Sequence, residues 1–337
     1  MVVHYRLGHR PMLDVVRGLA VVLVIVCHFS GDFSTGMGAT GVTLFFVLSG
    51  FLITSLLLEE RARGEGIGFR NFYVRRALRL LPALFVMVPI VVLLPVHTPA
   101  VYGVLAVSYV SNFFAAAGNS LRAFTRTWSL AVEEQFYAVW PFVVSWSRRR
   151  SFAVVLVALT VAGAAWTFAA AVVWRWDAAR IIYGTDTRID AIVAGAALAA
   201  VLAEYGPKRR RPVAVIGLVL IAFASASSSE ALLRWGLPVA VIGSIGVVWW
   251  AATSTEPLPR MGVMTWIGQR SYGLYLWHYP MYILTSGMGT GPGRVVLSVI
   301  LTAALAFASY ELVERPALRL KDRLVSARRA PHGAALL

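Results

Sequence analysis

Two ionisable side chains, Arg17 and His28, lie eleven residues apart in one otherwise apolar stretch that runs from residue 13 to residue 29. Eleven residues make almost a whole number of helical turns, so on a helix both side chains share one face, about 16 Å apart along the axis. Ionisable groups inside a bilayer usually face a bundle interior or a wet cavity and mark function. Two structural explanations stay open: Arg17 snorkelling to the headgroups, and His28 bonding to a carbonyl group.

Two adjacent carboxylates, Glu133 and Glu134, occur in the apolar segment TWSLAVEEQFYAVWP. We expect them at a depth similar to that of His28, where a carboxylate can orient the ring and stabilise the imidazolium of a general base. The alternative is that one glutamate stabilises the positive N-terminus of its helix. Because adjacent residues point about 100° apart on a helix, the two glutamates can also serve different purposes.

Two later segments carry further candidate groups on the same side. Asp186, Arg188 and Asp190 in TDTRID can bind a polar acceptor such as a sugar, or can form a self-contained ion-pair network. The segment SYGLYLWHYP contains Tyr275 and His278. Its aromatic rings are typical of interfacial anchors, whereas a histidine near the middle of a span indicates a functional site.

Arginines cluster where another apolar segment begins, in FYVRRALRLLP. Arg76 and Arg79 are three residues apart and share a helix face, so both can bind one anion. Most arginines at such positions only set membrane topology. Together with Arg17, however, they outline a path by which an anionic donor could enter from the cytoplasm towards His28.

The elements that position these residues are membrane helices. The chain has 337 residues, of which 58% are hydrophobic and 14% charged, and its apolar runs approach the roughly twenty residues that a crossing needs. The sequence therefore predicts an all-α, polytopic bundle of about ten transmembrane helices. The predicted spans are 13–30, 41–58, 79–95, 129–146, 152–174, 188–204, 212–226, 235–251, 272–287 and 294–313.

The net charge of +15 follows this topology. With both termini in the cytoplasm, most Lys and Arg residues, including those at 148–150, fall on the inner side, as the positive-inside rule requires. The charge is therefore a membrane signal and predicts no nucleic-acid partner. We expect one membrane domain over 1–320, a basic disordered cytoplasmic tail over 321–337, and a re-entrant or interfacial segment over 101–117.

Motifs for other chemistries are missing from the sequence. No HxxxH, HExxH or CxxC spacing predicts a metal site, and the lone Cys27 has no intramolecular disulfide partner. There is no Walker loop, and Ser49 lacks the flanking glycine pattern of a serine-hydrolase nucleophile. The sequence therefore predicts a site without a metal.

Taken together, these motifs resemble the membrane acyltransferase-3 family, in family order from residue 13 to about residue 318. The resemblance implies a stand-alone membrane enzyme that moves an acyl group, commonly acetyl, from acyl-CoA to a hydroxyl group. It also implies that His28 and Glu133 are catalytic and that Arg17, Arg76 and Arg79 bind acyl-CoA. The other candidates are then expected to bind substrate: Glu134, Asp186, Arg188, Asp190, Tyr275 and His278.

The expected acceptor is a carbohydrate, a glycolipid or a secondary metabolite, and the expected location is the bacterial cell membrane. A transporter or flippase for a polar lipid or saccharide is the alternative, because it too would need charge within the membrane. Related halves typical of many transporters are not visible in the sequence.

Overall fold

A computed structural model describes residues 5, 7–8, 10–29, 35–64, 66–147, 152–207, 211–254, 261–289 and 291–326, and these residues contain helices and no strand. An all-helical chain follows from the apolar runs, because in lipid a helix satisfies its own backbone hydrogen bonds. The first half contains α1 (Pro11–Phe29), α2 (Thr35–Ala62), α3 (Phe69–Leu93), α4 (Ala100–Val107), α5 (Ser111–Ala116), α6 (Trp128–Trp146) and α7 (Phe152–Val172). The second half contains α8 (Ala178–Tyr183), α9 (Thr185–Tyr205), α10 (Arg211–Ser225), α11 (Ser229–Thr253), α12 (Gly262–Gln269), α13 (Ser271–Leu284), α14 (Pro292–Ser309) and α15 (Arg315–Ser326).

The centre of the bundle is the packed pair of α2 and α9, whose side chains are largely buried. Glycines allow the two backbones to touch. A Cβ atom at Gly50 would lie 1.8 Å from the carbonyl oxygen of Ile192, and one at Gly195 would lie 1.9 Å from that of Val47. Small residues at such positions are how membrane helices approach closely, so this pair forms a rigid wall for the neighbouring helices.

Six helices of the described chain are long and apolar enough to cross a membrane. They are α1, α2, α3, α7, α11 and the continuous helical segment Pro292–Leu320. Helices α6, α9, α10 and α13 coincide with the other four predicted spans, but they are shorter or carry ionisable residues. The prediction of a multi-pass helical membrane protein is confirmed, whereas about ten crossings and cytoplasmic termini remain predictions.

Segment 101–117 forms two short helices rather than one span. Helices α4 and α5 are separated at residues 108–110, where Tyr109 has a positive φ of 55°. An eight-residue helix is only about 12 Å long, which is too short to cross a bilayer.

The C-terminal boundary differs from the predicted one. Helix α15 continues to Ser326, six residues into the segment expected to be a tail, and 327–337 lie outside the described residues. The basic residues 148–150, which support the predicted topology, also lie outside them.

Candidate active site

The first cavity in the bundle, which we call the arginine cavity, has a volume of about 170 Å³. Helices α1, α2, α3, α6 and α13 surround it. It brings together four residues predicted to act on acyl-CoA or in catalysis, namely Arg17, Arg76, Arg79 and Glu133. Their convergence follows from one residue of α1, one turn of α3 and one residue of α6 facing the same space.

Arg76 is held by two partners. Its guanidinium forms an ion pair with Glu134 at 2.7 Å and lies 3.4 Å from the centroid of the Tyr137 ring. Glu134 was expected to bind substrate, but its carboxylate is occupied by this arginine. The pair is mostly shielded from solvent, so it fixes the Arg76 side chain at the cavity wall.

Arg17 and Arg79 differ in their partners. Arg17 forms an ion pair with Asp14, one turn earlier on α1, at 2.9 Å. Arg79 takes part in no ion pair or hydrogen bond among the described residues, and Arg17 and Arg76 lie close enough to repel its charge. Arg79 is therefore the cavity's most available donor for an anionic ligand.

Glu133 accepts a hydrogen bond from Ser49 Oγ at 3.0 Å, and both residues line the arginine cavity. Sequence reasoning missed this pair, because Ser49 lies on α2, 84 residues from Glu133. His28 bonds instead to the carbonyl group of Val24 and makes no hydrogen bond to Glu133 in the described chain, so the expectation that Glu133 orients His28 is wrong. Glu133 lies five residues after Trp128, which lines a different cavity, and five residues advance a helix by about 7.5 Å.

The second cavity, which we call the histidine cavity, has a volume of about 350 Å³. His28, Arg126 and several aromatic rings line it, and none of its described lining residues is Asp or Glu. The aromatic members are Trp128, Tyr183, Tyr275, Tyr279 and Tyr282.

His28 reaches this cavity with one ring nitrogen bonded and the other without a partner. Nδ1 lies 2.7 Å from the carbonyl oxygen of Val24, one turn earlier on α1, whereas the buried Nε2 has no hydrogen-bond partner among the residues that the structure describes. A carbonyl group can only accept, so Nδ1 carries the proton in a neutral ring and Nε2 presents a lone pair. That is the tautomer that a general base requires.

His278 is fully buried beside His28, with ring centroids 5.1 Å apart. Its Nδ1 lies 2.6 Å from the carbonyl oxygen of Tyr275, and its Nε2 also has no partner in the described chain. The structure thus brings together two histidines that are 250 residues apart in the sequence.

Tyr275 lines both cavities, and Val42 is the other residue they share. The Tyr275 hydroxyl lies 2.6 Å from Ser129 Oγ and donates to the carbonyl oxygen of Arg126 at 3.0 Å. Tyr275 therefore forms part of the boundary between the arginine cavity and the histidine cavity.

The predicted cluster of Asp186, Arg188 and Asp190 does not form one site. Asp186 pairs with Arg180 at 2.7 Å, while buried Arg188 turns into the bundle and donates to Thr43 Oγ1 at 2.8 Å. Buried Asp190 packs at Gly163 of α7. Residues two apart on a helix point about 200° away from each other, which explains the separation of Asp186 from Arg188.

Arg126 is the functional candidate that sequence reasoning overlooked, because it belongs to none of the polar clusters that the sequence predicts. It precedes α6 in a 3-10 helix, Arg122–Thr127, and lines the histidine cavity. The sequence feature that could have identified it is its position directly before TWSL, on the predicted outer side of the membrane, where few basic residues are expected. Among the described residues, no group of three or more His, Cys, Asp or Glu could hold a metal ion.

A bundle of apolar helices that encloses a cationic cavity beside a histidine cavity defines a multi-pass membrane protein with an internal polar site. The family model of the acyltransferase domain, acyltransferase-3, matches residues 10–311, so the chain belongs to that family. The predicted family membership is thereby confirmed.

Curated relatives cover nearly all of this chain. It is 32% identical over 351 residues to the peptidoglycan O-acetyltransferase OatA of Listeria monocytogenes. It is 34% identical over 360 residues to the putative peptidoglycan O-acetyltransferase YrhL of Bacillus subtilis. Each alignment spans 93% of this chain and 56% of the relative, so the chain spans about half the length of these relatives. No solved structure matches the chain.

Proposed function

We propose that this protein is an O-acyltransferase of the bacterial cell membrane. It would move an acetyl group from cytoplasmic acetyl-CoA to a hydroxyl group of a cell-wall polysaccharide of the peptidoglycan type. The observation that carries the proposal is the buried Nε2 of His28 in the histidine cavity, to which no described residue forms a hydrogen bond. The names of the relatives support acetyl as the group and peptidoglycan as the acceptor.

In this proposal the arginine cavity binds the donor and faces the cytoplasm. The phosphates of acyl-CoA pair with Arg79 first, because this guanidinium forms no ion pair or hydrogen bond in the described chain. Arg17 and Arg76 add positive charge while Asp14 and Glu134 hold them in place. The thioester end of the donor then passes Tyr275 to reach His28.

The histidine cavity binds the acceptor. Aromatic rings provide broad apolar faces with polar tips, which suit a sugar, and the His28 ring lies beside those of Tyr279 and Tyr282. His28 Nε2 takes the proton of the acceptor hydroxyl as its oxygen attacks the thioester carbonyl carbon. The carbon–sulfur bond breaks, the ester forms, and the imidazolium returns its proton to the CoA thiolate.

The test is His28→Gln, with the purified protein in nanodiscs, where both faces are accessible to labelled acetyl-CoA and soluble peptidoglycan fragments. We expect transfer of label to fall about 10²- to 10⁴-fold, the range that general-base catalysis contributes. His97→Gln is the matched control, because His97 is exposed in the loop between α3 and α4. Wild-type transfer by the folded His28→Gln protein would contradict the proposal.

A further inference from the structure

Arg126 places a cation in the wall of the histidine cavity. Its guanidinium lies 4.8 Å from the centroid of the Tyr279 ring, and the His28 ring lies 5.3 Å from the same centroid. One aromatic ring therefore contacts both the proposed general base and the arginine.

No group in the described chain neutralises this cation. Among the described residues, Arg126 takes part in no ion pair, its buried Nε has no hydrogen-bond partner, and no residue lining the cavity is acidic. The Tyr279 ring offers a cation–π contact, which does not satisfy the buried Nε–H donor. A buried donor without a partner is costly, so an anionic group that meets Arg126 during function would offset that cost.

We infer that Arg126 is a catalytic residue that stabilises the oxyanion formed on the thioester carbonyl oxygen; this inference rests on the proposed function. When the acceptor oxygen attacks the carbonyl carbon, the carbonyl π electrons move to its oxygen while His28 takes the proton. The oxyanion therefore develops beside the His28 ring, in the cavity that the Arg126 guanidinium also lines. The charge is lost when the carbonyl reforms and the thiolate leaves.

Hydrogen bonds fix the backbone segment that carries Arg126, and the Tyr279 ring contacts its guanidinium. The Arg126 carbonyl accepts a hydrogen bond from the Tyr275 hydroxyl, and Thr127 Oγ1 donates to the Phe124 carbonyl at 2.8 Å. A donor fixed in advance stabilises developing charge without reorganising during the reaction. Because these bonds use backbone oxygens, substitution of the Arg126 side chain leaves them intact.

The experiment compares Arg126→Gln and Arg126→Lys in the nanodisc assay, with kcat and KM measured separately for acetyl-CoA and for peptidoglycan fragments. We expect Arg126→Gln to lower kcat about 10²- to 10³-fold, the loss seen when one oxyanion donor is removed, with either KM changing less than about threefold. Arg126→Lys should recover at least a tenth of the wild-type kcat, because it keeps the charge. Arg122→Gln removes the same charge from the exposed start of the same 3-10 helix and should retain wild-type kcat.

Three outcomes overturn the inference: an unchanged kcat in Arg126→Gln, a rise in the acceptor KM alone, or equal losses in the Lys and Gln variants. A rise in the acceptor KM alone would assign Arg126 to an anion on the acceptor instead. If Arg126→Gln does not fold, Arg126→Ala is assayed with added ethylguanidinium, and a rate that does not respond contradicts the inference. A failure of the proposed function gives a different result, namely wild-type transfer by the His28→Gln protein.

Discussion

The arginine cavity and the histidine cavity adjoin at Tyr275, but their charges are balanced differently. The arginine cavity has three guanidinium groups, and carboxylates hold Arg17 and Arg76. The histidine cavity has one guanidinium, that of Arg126, with aromatic rings and no carboxylate among its described lining residues. Several guanidinium groups, two held by carboxylates and one available, suit a site that binds a stable polyanion, whereas a single unpaired cation beside a neutral base suits charge that exists only briefly.

Within the arginine cavity, too, an arginine held in an ion pair serves a different purpose from one that is available to a ligand. A buried ion pair fixes side-chain geometry but adds little net stability, because desolvation opposes the attraction between its charges. Arg76 therefore shapes the arginine cavity, while Arg79 remains available to a ligand. Three substitutions test this contrast in order of decreasing expected effect.

The largest effect is expected on breaking the ion pair of Arg76. Glu134→Ala leaves the guanidinium without its carboxylate, which should lower the free energy of unfolding by about 3–5 kcal/mol. Denaturant unfolding in mixed micelles measures this change. Glu230→Ala is the control, because Glu230 pairs with Arg234 on an exposed helical face, where a loss of less than about 1 kcal/mol is expected. If both variants lost the same free energy of unfolding, the ion pair of Arg76 would be no more important for the structure than a surface ion pair.

An intermediate effect is expected at Arg79. Arg79→Gln removes a charged donor to a phosphate, worth about 1.5–3 kcal/mol, which corresponds to a roughly 10- to 100-fold higher KM for acetyl-CoA. The free energy of unfolding should fall less than in Glu134→Ala, because Arg79 forms no ion pair in the described chain and acts on the buried Glu133 and Glu314 only through its nearby charge. Arg75→Gln on the same helix is the control, as Arg75 lies outside the cavity and near Glu60. An unchanged KM in steady-state assays would reduce Arg79 to a residue that sets topology.

The smallest effect is expected at the boundary between the cavities. Tyr275→Phe removes two hydrogen bonds, to Ser129 and to the Arg126 carbonyl, each worth about 0.5–1.5 kcal/mol. We expect release of CoA without an acceptor to rise a few-fold relative to transfer, because water reaches the thioester more easily. Tyr205→Phe, at the exposed end of α9, is the control. A release-to-transfer ratio equal to that of the wild type would contradict a boundary role.

Helix positions were largely predictable from sequence, since apolar runs identify the segments that must satisfy their own backbone hydrogen bonds. The meeting of Arg17, Arg76 and Arg79 was predictable too, because helix periodicity and the expected topology put them at one face. The contacts between polar side chains of different helices were not predictable from the sequence. Glu133 was expected to orient His28, but it accepts from Ser49 of α2 instead. The contact of Arg126 with Tyr279 joins two distant segments of the chain, so the local sequence does not predict it.

The sequence by itself determined a membrane-embedded helical protein, its family, and the spacing that puts Arg17 and His28 on one face of α1. These properties are local, because hydropathy and the 1.5 Å rise of a helix do not depend on the neighbouring helices. Only the tertiary structure decided which groups meet: His278 with His28, Glu134 with Arg76, and Tyr275 between the two cavities. Those contacts depend on the depth and rotation of each helix, which close packing at positions such as Gly50 and Gly195 fixes.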